Sequence, residues 1–192
     1  MNKIERHPWP PFAPEGARIL FLGSFPPPAV RWSMEFYYPN YGNDFWRILG
    51  IIFFDEKEHF VEKAAKKFRE EEIRRFLTEK GIAIHDTALE VRRLKDNASD
   101  KFLEVVTPVD IETLLATMPQ CHAIVTTGQK ATDTLTAATG CKEPAIGEKT
   151  TATIGGRTIN FWRMPSTSRA YPLAVEKKAE HYRAMFQAEK MV

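Results

Sequence analysis

Four short apolar runs constrain the fold of this chain more than any other feature of its sequence. They cover residues 18–22, 82–85, 123–127 and 158–163, and stretches of helical periodicity separate them. Runs of this length, rich in β-branched residues, suit strands that are buried on both faces, as in a parallel sheet. Helices that connect parallel strands then cover both faces of the sheet. The sequence therefore predicts an α/β fold, a three-layer α/β/α sandwich with a central, mainly parallel four-stranded sheet.

Helical patterns and their end signals complete this prediction. The expected helices cover residues 45–52, residues 56–80, a segment from Thr107 to Leu115, a segment from Gly128 to about residue 138, and residues 175–186. Gly81 and Gly140 suit the left-handed residue that ends many helices. Thr107 suits an N-cap, Pro108 the first helical position and Asp110 the positive first turn.

Length and composition fit one globular domain over residues 1–192, with the proline-rich segment 1–17 packed on it. The chain is 43% hydrophobic and 27% charged, which is ordinary globular usage. No run approaches the roughly 18 apolar residues of a membrane span. The N-terminus carries Arg6, His7 and four prolines by position 14 in place of a signal-peptide core. We therefore expect a cytoplasmic monomer with access to a bacterial-type nucleoid and no contact with a membrane.

The sequence offers little material for a metal or cofactor site. Cys121 and Cys141 are too few for a disulfide framework or an iron–sulfur cluster, and we expect two reduced, inert thiols. No clustered His, Asp or Glu spacing indicates a metal site. Neither a Gly-x-Gly-x-x-Gly fingerprint nor a P-loop occurs in the chain. We therefore expect no metal and no cofactor.

The distribution of charge weakly favours DNA as a partner. The net charge is only +2, but residues 145–192 hold eight Lys/Arg against four Asp/Glu. A local basic face of this kind suits a polyanion. Enzymes that act on small molecules show similar asymmetry, so charge alone does not identify the partner.

Unusual loops follow the carboxyl ends of all four predicted strands. They are residues 23–46, which are rich in glycine, proline, tyrosine and asparagine, then Asp86-Thr87, Thr127-Gly128 and residues 164–169. Ligands of open α/β sheets bind outside the carboxyl ends of the strands. The predicted topology therefore brings these loops to one site, without indicating its reaction.

Short motifs in these loops resemble the uracil-DNA glycosylase superfamily. The motifs are Gly23-Ser24-Phe25-Pro26, Tyr37-Tyr38, Asn43-Asp44-Phe45-Trp46, Gly81-Ile82-Ala83-Ile84-His85-Asp86 and Pro165-Ser166-Thr167-Ser168. The likeness runs from about residue 18 to residue 186. It is closest to the hypoxanthine-DNA (deoxyinosine) glycosylase branch, and the mismatch-specific uracil/thymine-DNA glycosylases are also similar. The resemblance implies a monofunctional DNA glycosylase of base excision repair, which hydrolyses the N-glycosidic bond of hypoxanthine or uracil flipped out of DNA.

The resemblance implies catalysis by Asn43. Mismatch-specific and single-strand-selective relatives have a water-positioning Asn where this chain has Phe25, and the hypoxanthine branch uses the Asn that corresponds to Asn43 instead. A neutral amide holds water against the anomeric carbon, with Asp44 as a less favoured base or as an electrostatic partner of the developing cation. Both residues are also favoured helix caps, so capping of the helix over 45–52 is the alternative. His85, where relatives have Trp, is expected to be a satisfied core histidine.

Base binding is assigned to the walls of a pocket for a flipped-out nucleotide. Tyr38 is the expected stacking ring, with Tyr37 and Phe25 as rivals and core packing as the alternative. Asp86 accepts from the ring N–H of uracil or hypoxanthine, while a backbone N–H near Ser24 donates to the neighbouring carbonyl. The alternative for Asp86 is capping of the next segment. The base-binding set is Gly23, Ser24, Phe25, Tyr38 and Asp86.

DNA contacts are assigned to the loop after the last predicted strand and to one lysine. Hydroxyl and backbone N–H groups of this loop suit phosphate oxygens, and Lys130 lies at a predicted helix N-terminus. Arg169 is expected to enter the gap that the flipped nucleotide leaves or to contact the orphaned base. The alternative is an ordinary turn before the last helix. The DNA-binding set is Pro165, Ser166, Thr167, Ser168, Arg169 and Lys130.

Two other classes of function stay open at this point. A catalytically silent DNA-lesion-binding protein would keep the pocket and the Arg169 loop but release no base. A small-nucleotide hydrolase or transferase on the same fold would act on a free substrate. Binding of an abasic duplex compared with free nucleosides separates these classes.

Overall fold

The computed structural model describes residues 3–95 and 99–192. The strands are β1 (Ile4–Arg6), β2 (Ile19–Gly23), β3 (Val61–Glu62), β4 (Lys67–Phe68), β5 (Ile82–Asp86), β6 (Ala88–Arg93), β7 (Leu103–Pro108), β8 (Ala123–Thr127), β9 (Lys149–Ile154) and β10 (Arg157–Met164). The α-helices are α1 (Phe45–Phe54), α2 (Glu70–Lys80), α3 (Ile111–Ala116), α4 (Gln129–Thr139) and α5 (Val175–Ala188).

A five-stranded sheet in the order β5-β2-β8-β10-β9 forms the centre of the fold. Strands β5, β2, β8 and β10 pair in parallel, as the sequence predicts. The prediction of four strands is wrong, because β9 pairs with β10 as an antiparallel edge strand. Gly155 and Gly156 join these strands with φ values of 55° and 72°, which suit a tight hairpin turn. The threonines of β9 gave it too weak an apolar pattern to be recognised.

Helices on both faces of this sheet produce three layers. Side chains alternate along β2, so that Ile19 and Phe21 point to one face and Leu20 and Leu22 to the other. The first pair packs in a core cluster with residues of α1, α2 and α5. The second pair packs in a cluster with residues of α3 and α4. No helix within the described residues is long and apolar enough to cross a membrane.

The predicted helix over residues 56–80 is wrong in its first half. Only α2 is helical, and the hairpin of β3 and β4 precedes it. Phe60, Val61 and Phe68 turn into the core from this segment, while Lys66 adopts a left-handed φ of 50° between the two strands. Burial of these apolar side chains outweighs the helix propensity of the lysines and glutamates between them.

A separate three-stranded antiparallel sheet, β1-β6-β7, was not predicted. Thr107 and Pro108 end β7 in this sheet, so their assignment to a helix start is wrong. Helix α3 begins after Asp110, whose Oδ1 accepts the backbone N–H of Thr113 at 3.0 Å. The burial of residues 103–108 alternates with the period of a strand. The cap therefore moves to Asp110, another favoured capping type.

Gly81 and Gly140 end α2 and α4 in the left-handed conformation, as predicted. A Cβ at Gly81 would lie 3.0 Å from the carbonyl oxygen of Gly16, whereas a Cβ at Gly140 would have no neighbour within 4 Å. We expect Gly140→Ala to lower the free energy of unfolding by about 1 kcal/mol, the strain of a left-handed alanine. Gly81→Ala should lower it by about 2 kcal/mol, because the Gly16 carbonyl must also move. Urea denaturation measures both, and equal losses would contradict the close contact.

Candidate active site

A cleft of about 520 Å³ opens at the carboxyl ends of β2, β5, β8 and β10. All four loops that the topology was expected to bring together contribute to it. Its lining includes Gly23, Ser24, Phe25, Tyr38, Asn43, Asp86, Thr127, Ser166, Thr167 and Ser168. The predicted site residues outside this lining are Asp44, Lys130, Pro165 and Arg169. The structure thus groups most of the chosen residues in one cleft, while their roles stay predictions.

Gly23 permits two side chains of the cleft lining to approach the backbone closely. It pairs with Asp86 in the register of β2 and β5. A Cβ at Gly23 would lie 2.4 Å from Asp86 Oδ1 and 3.3 Å from Tyr38 Oη. A larger residue at this position would therefore displace the carboxylate from the cleft wall.

Asp86 is held by a histidine that sequence reasoning did not select. Asp86 Oδ2 lies 2.8 Å from His7 Nε2, and both side chains are almost completely buried. His7 belongs to the proline-rich N-terminal segment, far from Asp86 along the chain. An isolated histidine in such a segment carries no pattern that predicts this contact. The carboxylate is thus paired with His7 and does not cap the segment that follows β5.

Tyr38 lies on the cleft wall with one ring face covered. Its ring stacks on Phe45 with centroids 4.0 Å apart and planes 17° from parallel. Its φ of 51° is unusual for a non-glycine residue. The hydroxyl lies 2.8 Å from Thr127 Oγ1, and burial raises the pKa of the phenol far above its usual range. The ring is therefore a neutral, fixed surface that suits stacking.

Tyr37 and His85 belong to the core and not to the cleft. The hydroxyl of Tyr37 donates to the carbonyl of Pro10 at 2.9 Å and accepts from His85 Nδ1 at 2.7 Å. Burial and, to a smaller extent, the nearby His7 together lower the pKa of His85 to about 4. His85 is therefore a neutral, hydrogen-bonded core histidine, which is the expected arrangement.

Phe25 joins the cleft to the N-terminal segment. Its ring meets the ring of His7 edge to face, with centroids 5.5 Å apart. The guanidinium of Arg93 lies 5.7 Å from the centroid of the same ring. Phe25 therefore contacts the side chain that holds Asp86 while it lines the cleft.

Asn43 is oriented by a local hydrogen bond. Its Oδ1 accepts the backbone N–H of Phe45, the first residue of α1, at 2.9 Å. This bond is the local contact on which the capping alternative rests. The same bond also fixes the plane of the amide. The second lone pair of Oδ1 and the two donors of Nδ2 remain for other partners. Asn43 is half-buried in the cleft lining, where such a fixed amide can orient a water molecule.

Asp44 is committed to a buried ion pair outside the cleft lining. Its Oδ2 lies 2.8 Å from the ammonium of Lys178 on α5, and Lys178 is completely buried. The same ammonium donates to the carbonyl of Ser168 at 2.8 Å. The backbone N–H of Asp44 donates to the carbonyl of Thr167 at 2.9 Å. Asp44 thus joins the loop before α1 to the loop after β10, which is a positional role.

The loop after β10 is fixed by its backbone and leaves hydroxyl groups at the cleft. The hydroxyl of Tyr182 on α5 donates to the carbonyl of Pro165 at 2.9 Å. Ser166 Oγ accepts the N–H of Ser168 at 3.2 Å. Ser166 also packs against Gly128, because a Cβ added to Gly128 would lie 3.3 Å from the Cβ of Ser166. The segment is therefore held in place by Tyr182 of α5, by its own hydrogen bond and by packing against Gly128.

Two predicted DNA contacts lie at the margin of the cleft. Arg169 is exposed and lines a neighbouring cavity that Asp44 also lines. Lys130 is half-exposed on the first turn of α4. Both cations are thus accessible beside the cleft without lining it.

Asp100 is a second carboxylate of the cleft that sequence reasoning missed. Its Oδ1 accepts from the hydroxyl of Ser24 at 2.9 Å. Loss of water around the carboxyl raises its pKa, although the residue as a whole is exposed, and the hydrogen bond from Ser24 opposes this shift. Asp100 lies in the connection between β6 and β7, which carries no motif. No group of His, Cys, Asp or Glu side chains within the described residues is arranged to hold a metal.

The buried ammonium of Lys178 can be tested against its exposed neighbour. We expect Lys178→Met to lower the free energy of unfolding by about 3 to 5 kcal/mol, because it leaves the Asp44 carboxylate buried without its partner. Lys177 is largely exposed beside it and pairs with Glu180, so Lys177→Met should cost less than about 0.5 kcal/mol. Urea denaturation of both variants gives the difference. If Lys178→Met lowers the free energy of unfolding no more than Lys177→Met does, the buried Asp44–Lys178 pair does not stabilise the fold.

Comparison with known proteins identifies the fold. No family model and no curated protein matches the chain. A solution NMR structure of a candidate uracil DNA glycosylase from Methanosarcina acetivorans is similar, with 22% sequence identity and a TM-score of 0.65. The similarity covers 98% of this chain and 99% of that protein. The two proteins therefore share one mixed α/β fold over their whole length.

Proposed function

We propose that this protein is a monofunctional DNA glycosylase that hydrolyses the N-glycosidic bond of a deaminated base. The observation that carries the proposal is the grouping of Asn43, Tyr38 and Asp86 in one cleft at the carboxyl ends of the parallel strands. These residues supply a fixed amide, an aromatic surface and an acceptor for a base N–H. The fold shared with a candidate uracil DNA glycosylase supports the same reaction class.

The proposed chemistry needs little covalent participation from the protein. Departure of the base leaves an oxocarbenium-like sugar, and uracil or hypoxanthine leaves as a stabilised anion. A placed water and fixed dipoles are then the main requirements. In our proposal the Asn43 amide orients that water, while Asp44 acts only by holding the loop that carries Asn43.

The proposed substrate is hypoxanthine or uracil in DNA, flipped into the cleft. The base stacks near Tyr38 and presents its ring N–H to Asp86, with a backbone N–H near Ser24 donating to the adjacent carbonyl. Ser166, Thr167 and Ser168 then contact phosphates beside the flipped nucleotide. The motifs favour the hypoxanthine branch within the superfamily. We further propose a monomer that acts in the cytoplasm.

A silent lesion-binding protein is the second candidate, and one observation favours it. Asp44 is held by Lys178, so the carboxylate next to Asn43 in sequence is not available as a base. Such a protein would bind duplexes with deaminated bases but leave them intact.

The direct test is incubation with labelled duplexes that carry uracil, hypoxanthine, xanthine or a thymine mismatch. Alkaline cleavage then reports abasic sites. We expect cleavage of the uracil or hypoxanthine strand, and we expect it to persist in excess EDTA because no metal takes part in the proposed reaction. Binding without cleavage would favour the silent protein, and activity restored only by a divalent ion would contradict the mechanism.

Asn43 can be separated from a capping role by a matched asparagine. Asn40 Oδ1 accepts the backbone N–H of Gly42 at 2.9 Å, the same kind of local bond in the same loop. We expect Asn43→Ala to lower the single-turnover rate by roughly 100-fold or more, because a water-placing amide acts in the transition state. Asn40→Ala should lower that rate by less than about threefold. Equal losses in the two variants would reduce Asn43 to a local structural role.

Arg169 is tested by comparing paired and unpaired substrates. If it fills the gap left by the flipped nucleotide, Arg169→Ala should slow cleavage of a duplex lesion by about tenfold or more. Cleavage of the same lesion in single-stranded DNA should fall much less. Arg75→Ala removes an equal charge from an exposed position on α2 and serves as the control. Equal losses on the two substrates would indicate a phosphate contact instead.

A further inference from the structure

We propose that His7 is a positioning residue that keeps Asp86 an acceptor toward the cleft, so that the cleft selects bases with a ring N–H. This inference rests on the proposed function and names the chemistry by which that same site chooses its base. Uracil, hypoxanthine and xanthine carry such an N–H beside a carbonyl. Cytosine and adenine carry a lone pair at the corresponding ring nitrogen.

The hydrogen bond between His7 and Asp86 is short and largely shielded from water. Nε2 of His7 lies 2.8 Å from Oδ2 of Asp86, and the two side chains are 3% and 8% exposed. Water therefore competes little for this bond, and a buried bond of this kind is costly to leave unmade.

The second ring nitrogen of His7 decides the direction of the hydrogen bond. Nδ1 lies 2.8 Å from the carbonyl oxygen of Trp9 and 3.2 Å from its backbone nitrogen. When Nδ1 accepts from Trp9, the single ring proton is on Nε2. When Nδ1 donates to the Trp9 carbonyl, we infer that an Nε2–H still faces the carboxylate, because a lone pair at Nε2 would oppose the lone pairs of Oδ2. In both arrangements His7 donates to Asp86.

Aromatic rings prevent the imidazole from turning away. The ring of His7 stacks against Tyr37 with centroids 5.7 Å apart, and His85 lies 4.8 Å from it. The ring of Phe25 also contacts the imidazole, with the two ring centroids 5.5 Å apart. Trp9, on the same segment, meets His7 edge to face at 5.9 Å. The donor is thus held in one orientation by rings on several sides.

The other oxygen of Asp86 is left for the substrate. Among the described residues no donor reaches Oδ1, which lies against Gly23 in the cleft lining. With Oδ2 occupied by a donor, the lone pairs of Oδ1 are the ones that remain for a partner in the cleft. A base with a ring N–H then gains a hydrogen bond, whereas cytosine or adenine sets lone pair against lone pair.

Binding without cleavage tests this selection. The probes are duplexes with 2′-fluoro-deoxyuridine or 2′-fluoro-deoxycytidine at one position, because the fluorine destabilises the oxocarbenium-like state and blocks base release. Affinities are measured for the unaltered protein and for His7→Leu, His7→Gln and Asp86→Asn. Thermal unfolding of each variant reports whether it is folded.

We expect the unaltered protein to prefer the uridine duplex by about tenfold or more, the scale of one good base contact. His7→Leu should bring the preference close to one, and His7→Gln should retain most of it because its amide can donate to Oδ2. Asp86→Asn should reverse the preference. Its carbonyl is fixed by the His7 donor, so its NH₂ faces the cleft and suits the cytosine lone pair.

Two results would overturn the proposal. One is a uridine preference that survives in a folded His7→Leu protein. The other is equal loss in His7→Leu and His7→Gln together with an Asp86→Asn protein that still prefers uridine. An unaltered protein that prefers uridine but cleaves no lesion duplex would refute the glycosylase function and leave the role of His7 intact. An unaltered protein with no preference would refute the role of His7.

Discussion

The buried ammonium of Lys178 is the interaction on which the cleft most depends. It binds the Asp44 carboxylate and the Ser168 carbonyl, which belong to loops far apart in the chain. The backbone bond from Asp44 to Thr167 completes this junction. Because an unpaired buried charge is costly, the two loops are held together whenever α5 is in place. Asn43 and the Ser166-Thr167-Ser168 segment therefore line the same cleft as neighbours.

The part of the cleft formed by Asp86 depends on the N-terminal segment in the same way. His7 holds Asp86, and the Pro10 carbonyl accepts from Tyr37, which in turn accepts from His85. Gly23 leaves the space that this wall needs, since any side chain there would meet Asp86. The proline-rich N-terminal segment thus supports the cleft from outside its lining. In our proposal, His7 of this segment donates to one oxygen of Asp86 and leaves the other oxygen as an acceptor toward the cleft.

Sequence patterns predicted what depends on local or periodic signals. The parallel strands, α1, α4, α5 and the left-handed Gly81 and Gly140 all follow from apolar runs and end signals. The strand β9 was missed because its threonines give a weak apolar pattern. The sheet β1-β6-β7 was missed because its strands are polar and β1 pairs with the distant β6. His7 and Asp100 escaped for a similar reason, since His7 is 79 residues from Asp86. The commitment of Asp44 to Lys178 also joins positions that no local pattern connects.

A crystal structure of the protein with a duplex that carries a single 2′-fluoro-deoxyuridine tests the proposed function most directly. We expect the nucleotide to be rotated out of the helix, with its N3 atom within hydrogen-bonding distance of Asp86 Oδ1. We also expect a water molecule between the Asn43 amide and the anomeric carbon. A uridine that stays stacked in the duplex, or DNA bound to another face with the cleft empty, would contradict the central claim.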